Sequence, residues 1–332
     1  MIRAIVAMLA PLLISTGALS QPAERAEPGL TISFDDSAAR YVLENPANAL
    51  ADERETIWNT FEGYRITLVW HEKSSFPITW DLWENGLNRF LEDTSLIGKT
   101  LSLADSLTNK AQREQYSIAR HISSYLSTTG PIHASVYLVA FTIPYAFCVE
   151  QNKIGIDITG EEWSFDTDCV LNTTIHEIYH VGFRLNSPDY RYIKEDPVDE
   201  ETFIRFCYAY LQSEGMATYV SYKALDLFPS DYRHADFDLL EDDSKVKKAF
   251  SRVGMLLDYA RTLEIDSLEK EAWDIGVSKR AFYIAGAYMA KVIEEKHGPE
   301  FLAGLVSKGS LQFAREYNAI VPDDYRIALA VF

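Results

Sequence analysis

In the stretch "LNTTIHEIYHVGF", Leu171 to Phe183, two of the chain's seven histidines stand four residues apart, with a glutamate directly after the first. This spacing has chemical meaning on an α-helix, where residues i and i+4 share a face, so that His176 and His180 direct both imidazoles to one point. The neighbouring apolar residues fit the same period. Ile175, Ile178 and Tyr179, followed by Val181, Gly182 and Phe183, recur at helical spacing, and Thr173 or Thr174 is placed to start the helix.

A chain of 332 residues, 47% hydrophobic and 13% aromatic, can bury one large core or two modest ones around such a helix. Its 12 prolines and 16 glycines are too few for a low-complexity chain, and no internal period points to a repeat architecture. Upstream, Thr31 to Phe34 reads as a short strand, followed by a helix toward Glu44 that stops near Pro46. Helical spacing recurs in Ala49 to Phe61, Trp80 to Leu91 and Ala111 to Leu126. "ASVYLVAF" and "KIGIDIT" read as strands; in the second, Ile154, Ile156 and Ile158 alternate with small or polar residues, as in a half-buried edge. Further helices are expected from about Glu200 to Ala224, Lys245 to Leu263 and Ser278 to His297, the last closed by Gly298 and Pro299. The class is α+β and helix-rich. Residues 1–20 form a leader, 21–130 a mainly helical region, and 131–332 the region that carries the motif.

H-E-x-x-H presents two metal ligands, with Glu177 beside them in reach of a water that zinc would acidify to a pKa of about 7. Seven histidines also allow such a match by chance, so the context must supply a third ligand. In the long H-E-x-x-H-x-x-G-x-x-H pattern that ligand is a histidine, but Asn186 holds its place here. Glu214 in "YLQSEGMATYVSY" is the better candidate, because it is embedded among Leu211, Met216, Ala217 and Val220, with small Gly215 and Ala217 allowing two helices to approach. Its rivals Glu195, Glu200 and Glu201 have no such surroundings. His71 reads as a surface residue, and His121, His133 and His234 have no partner spacing.

With these residues the chain resembles the gluzincins, zinc metallopeptidases with H-E-x-x-H on one helix and a glutamate ligand on the next. "KIGIDI" looks like the edge strand that precedes the active helix in that group and aligns substrate backbone, and "SEGMATY" resembles its glutamate helix. "FYIAGAYMAKVIEEKHG" is similar to a tyrosine-bearing helix of secreted bacterial members, so the resemblance covers Ile154 to Gly298. It implies a zincin-like fold with one zinc per chain held by His176, His180 and Glu214, Glu177 as general base, and a peptide or protein substrate. Tyr283 is then either a donor to the oxyanion or a core tyrosine. The other functional class is a zinc-stabilised, inactive envelope protein that captures an extended peptide on the Ile154 to Ile158 edge.

The formal charge of −18 makes nucleic acid a poor partner. Acidic runs such as "DFDLLEDDSK", Asp236 to Lys245, read as solvated faces. Cys148 and Cys169 flank a short extended segment and are the pair to bridge if any disulfide forms, leaving Cys207 buried and free; all three reduced is the alternative. Oligomeric state has no signature in the chain. The leader "MIRAIVAMLAPLLISTGALS" combines Arg3, an apolar run from Ala4 to Ile14, and small residues at Ala18 and Ser20, the three regions of a signal peptide. No later segment is long and apolar enough to span a bilayer. The expectation is an exported protein, periplasmic or extracellular, whose mature chain begins at or near Gln21; amino-terminal sequencing of the cellular fractions would refute it by finding Met1 intact on cytoplasmic protein.

Overall fold

The computed structural model describes residues 29–329 apart from 51–53, 75–79, 128–129, 143–144, 150–151, 164, 232–233 and 263, so the expected leader and its cleavage point lie outside the described residues. The chain opens with β1 (Leu30–Asp35), α1 (Ser37–Glu44), α2 (Pro46–Leu50), α3 (Arg54–Thr60), α4 (Glu62–Ser74), α5 (Trp80–Glu92), α6 (Ser95–Arg113) and α7 (Gln115–Ser124). Three strands follow, β2 (Ile132–Val139), β3 (Ala146–Val149) and β4 (Lys153–Asp157), and then α8 (Thr167–Asn186) with the short α9 (Tyr190–Lys194). The remainder is helical: α10 (Glu200–Ala224), α11 (Ala235–Glu241), α12 (Asp243–Tyr259), α13 (Ile265–Glu271), a π-helical turn at Ala272–Ser278, α14 (Ala281–His297), α15 (Pro299–Lys308) and α16 (Ser310–Ile320). This is the helix-rich α+β class. Among the described residues, no helix is long and apolar enough to cross a membrane.

The four strands lie in the order β1-β2-β4-β3, the first three parallel and β3 antiparallel to β4. The segment expected as an edge, Ile154 to Ile158, is therefore interior, and the edge strand before α8 is β3. Alternation reports only which residues are apolar; β4 is interior because β3 pairs along its other side, from Ala146 opposite Ile156 to Val149 opposite Lys153, and its second face is covered by apolar groups as well. Ile154, Ile156 and Ile158 are buried, and a Cβ on Gly155 would lie 2.2 Å from Cζ of Phe147 on the neighbouring strand. Phe147 packs there with Val149 and with Ile66 of α4. The carboxylate of Asp157 is also buried, accepting from the Thr142 and Thr159 amides and both hydroxyls.

α8 starts earlier than its threonines imply. Asp166 is the cap, its carboxylate accepting from the amides of Asp168 and Cys169, while Thr173 and Thr174 turn their hydroxyls back onto the carbonyls of Cys169 and Val170 inside the helix. α10 begins with a reciprocal capping box between Asp199 and Thr202. Helix α10 packs against both α8 and α14. The close approach ascribed to Gly215 serves the α14 side: a Cβ on Gly215 would stand 2.3 Å from Cα of Gly286, and one on Gly286 would stand 2.0 Å from the carbonyl oxygen of Leu211. The two backbones touch where both residues lack side chains. No disulfide joins Cys148, Cys169 or Cys207, and His71 is buried on α4, not at the surface.

Because backbone cannot yield as a side-chain tip does, Gly286→Ala is expected to force α10 and α14 apart and lower stability by about 1–3 kcal/mol. Gly254→Ala in α12, where nothing lies within 4 Å of the added carbon, is the control and should leave stability unchanged or raised. Thermal denaturation of the two variants side by side checks the contrast; equal midpoints would contradict the backbone contact.

Candidate metal centre

α8 and α10 bring His176, His180 and Glu214 to one point. Nε2 of His176 and Nε2 of His180 are 3.1 Å apart, and Oε2 of Glu214 lies 3.4 Å from the first and 3.3 Å from the second. Tetrahedral coordination with bonds of 2.0–2.1 Å separates neighbouring ligand atoms by about 3.3–3.4 Å, so the triangle has the size that zinc requires. The donor set, two imidazoles and one carboxylate, has the composition of a catalytic zinc site. Ser213 Oγ lies 3.1 Å from Nδ1 of His180; when Nδ1–H donates to that hydroxyl, the lone pair of Nε2 faces the point of convergence. The rivals Glu195, Glu200 and Glu201 are exposed.

Burial alone would raise the carboxyl of Glu214, but the charge of His180 and hydrogen bonds from both imidazoles hold it well below the usual carboxylate range. Glu177, 8% exposed, responds in the other direction: burial pushes it up to about 7, against the pull of His176 and with a contribution from the Glu214 charge. Two adjacent carboxyls are thus driven apart by their surroundings, one fixed as an anion and the other able to exchange a proton near neutrality.

Both glutamates line a cleft of about 400 Å³. One wall is the edge strand. The bond from Asp157 N to Tyr145 O, 2.7 Å, sets the alternation of the β3–β4 ladder, which turns the main-chain groups of Ala146 and Cys148 outward; Arg184 of α8 donates to the Cys148 carbonyl at 2.8 Å. Trp70, Phe147, Tyr190, Tyr210 and Trp273 add apolar surface. Tyr283 is half-buried in α14, its ring within 11° of parallel to that of His176 with centroids 6.2 Å apart, and it lines the cleft. Burial, helped by the charge of Glu214, pushes its phenol well above the ordinary tyrosine range, so it remains a donor.

Three further cleft residues are not assigned to the site by the sequence. His234 caps α11, accepting from the Asp236 amide at 3.2 Å through Nδ1. Asp236, expected on a solvated face, is instead 2% exposed and engaged by Arg280. Arg280 precedes Tyr283 by three residues, the helical interval that puts side chains on one face, and that interval was the available clue.

A helix-rich α+β protein with a His, His, Glu group of zinc dimensions facing a cleft is the class these features define. Residues 103–324 match the model of the family described as "Putative zinc dependent peptidase (DUF5700)", which is well over half of the chain, and the chain belongs to that family. No curated protein and no solved structure matches it.

The geometry predicts about one zinc per chain. Glu214→Ala should weaken zinc binding strongly and Ser213→Ala by about 10–100-fold, while Glu201→Ala on the exposed face leaves it intact. Zinc stoichiometry and competition with a chelator measure all three; unchanged affinity in Glu214→Ala would remove that residue from the site.

Proposed function

We propose that the protein is an exported, gluzincin-type zinc peptidase that hydrolyses peptide bonds with Glu177 as general base. The observation that carries this reading is the convergence of His176, His180 and Glu214 at zinc dimensions in the cleft that Glu177 also lines. Export rests on the leader sequence with its three signal-peptide regions.

A zinc ion held by the three ligands supplies a Lewis acid that polarises a carbonyl and brings the pKa of water to about 7. The residues of the chain do the remainder. The outward main-chain groups of Ala146 and the outward amide of Cys148, whose carbonyl Arg184 engages, receive an extended peptide as an added strand, and the aromatic wall receives its apolar side chains. Glu177 takes the proton of the attacking water on a carboxylate oxygen and delivers it to the leaving nitrogen. Its buried position suits both steps, since the bound cation would favour the carboxylate that accepts the proton while burial favours the carboxyl that returns it. The phenol of Tyr283 donates to the carbonyl oxygen as that oxygen gains charge. Ser213 keeps the ring of His180 in orientation.

A site that only stabilised a peptide-binding fold would have no chemical use for Glu177. Glu177→Gln keeps the size of the side chain and cannot take the proton, so zinc content and thermal stability should persist while turnover of a broad peptide library falls by about 10² or more. Full turnover in Glu177→Gln, free of wild-type contamination, would refute the mechanism; a zinc-loaded wild type that cleaves nothing would favour peptide capture.

A further inference from the structure

Arg280 has no place in the chemistry described above, yet the fold holds it under constraint. It is one of three non-glycine residues with positive φ among the described residues, at φ 59°, two residues after the π-helical turn and at the amino-terminal cap of α14. A left-handed conformation costs an L-residue roughly 1–2 kcal/mol, and a glycine would avoid that cost. Only a residue with a side chain can make the contacts seen here. The side edge of the guanidinium is bolted to buried Asp236, with Nε 3.0 Å from Oδ1 and 3.1 Å from Oδ2, and Nη2 also donating to Oδ2. Its flat face covers the ring of Tyr283, with Cζ 3.2 Å from the centroid. Asp236 is placed in turn by the α11 cap, its amide donating to Nδ1 of His234 at 3.2 Å.

These contacts occupy one edge and one face of the guanidinium. The other edge, formed by Nη1 and the outer hydrogen of Nη2, has no acceptor among the described residues, and Arg280 lines the same cleft as His176, Glu177 and Glu214. Two parallel N–H donors in a rigid plane match a carboxylate in a way that a single ammonium cannot. The amino-terminal end of the 17-residue α14 adds partial positive charge at the same place.

We propose that Arg280 is a specificity-determining residue whose free edge binds a carboxylate of the substrate. The inference rests on the peptidase reading for its substrate class. The carboxylate has two sources, a peptide's carboxyl terminus and an acidic side chain, and the same donors serve either.

The test uses N-acetylated peptides of one sequence in three forms: free carboxyl terminus with an internal Glu, the amide of that peptide, and the free acid with Gln for Glu. Binding is measured calorimetrically to the Glu177→Gln protein, which keeps the peptides intact, both zinc-loaded and after zinc removal. The expected result is a preference for the carboxylate of about tenfold or more, the size of a charge-assisted pair, that survives zinc removal. Its loss in the amide assigns the terminus, and its loss in the Gln peptide assigns the side chain. In Arg280→Gln and Arg280→Lys the preference should disappear. The double variant Asp236→Asn, Arg280→Gln guards against the unpaired buried acid, and the preference is a ratio within each sample, so partial unfolding does not mimic its loss. Equal binding of all three peptides, absence of saturable binding, a preference that vanishes with zinc, or one that persists in the Arg280 variants would overturn the proposal. Cleavage by the wild type is read separately. Peptides bound with the Arg280-dependent preference but never cut would defeat the peptidase reading and leave the carboxylate site standing; cleavage without that preference would defeat the site alone.

Discussion

The contact on which the site depends is the meeting of two backbones, Gly215 on α10 against Gly286 on α14. Glu214 is the residue beside that contact, and the helix on its other side carries Arg280 at its cap and Tyr283 in its first turn. Because the helices touch without intervening side chains, their relative position is set by backbone, which deforms far less than a packed Leu or Phe. The carboxylate that reaches toward the α8 histidines and the arginine that faces the cleft are thereby referred to one rigid frame. α8 is fixed independently by its Asp166 cap and by nearly continuous burial of its side chains.

Within that frame the electrostatics require explanation, because the cleft gathers charges that burial disfavours. Glu177, Glu214 and Asp236 line it together with Arg184 and Arg280, three acids against two permanent cations. Asp236 is matched by Arg280, and Glu214 by the imidazoles; Glu177 is left with the desolvation cost and takes up a proton near neutrality. A divalent cation between His176, His180 and Glu214 would reverse the balance of the cleft to net positive and draw Glu177 toward its ionised form. The surplus of buried acid thus fits the donor geometry: both are arrangements that a cation completes.

Much of this was legible in the sequence because it depends on helical period. The H-E-x-x-H spacing, the apolar setting of Glu214 and the span Glu200 to Ala224 all read directly, since one face of one helix carries each signal. The failures have a common cause. β4 reads as an edge because alternation reports which residues are apolar and not whether another strand pairs alongside, and the four-residue β3 pairs there. The α8 cap was misplaced because threonine hydroxyls satisfy backbone carbonyls inside helices as well as at their ends. Asp236 looked solvated because its acidic neighbours are, and its partner lies 44 residues later in the chain. Pairings across such separations leave no local trace. The close approach at Gly215 is legible but its partner, Gly286 of α14, is not, because a small residue records that something comes near and not which element does.

The same reasoning explains why Arg280 stands where glycine would be easier. A buried ion pair contributes little net stability once desolvation is counted, so the pairing with Asp236 does not by itself account for a strained arginine. An apolar residue facing an apolar partner would fill that volume without the electrostatic cost, and glycine would remove the backbone strain. What neither substitute provides is a fixed plane of donors in the cleft, braced by Asp236 along one edge and by Tyr283 across one face. The brace removes the rotational freedom that a long side chain otherwise loses on binding, so the free edge is already oriented before a ligand arrives. Strain in the backbone and burial of charge are then two costs of one arrangement, in which a cation is held rigid at the wall of a cleft that also carries a His, His, Glu group of zinc dimensions.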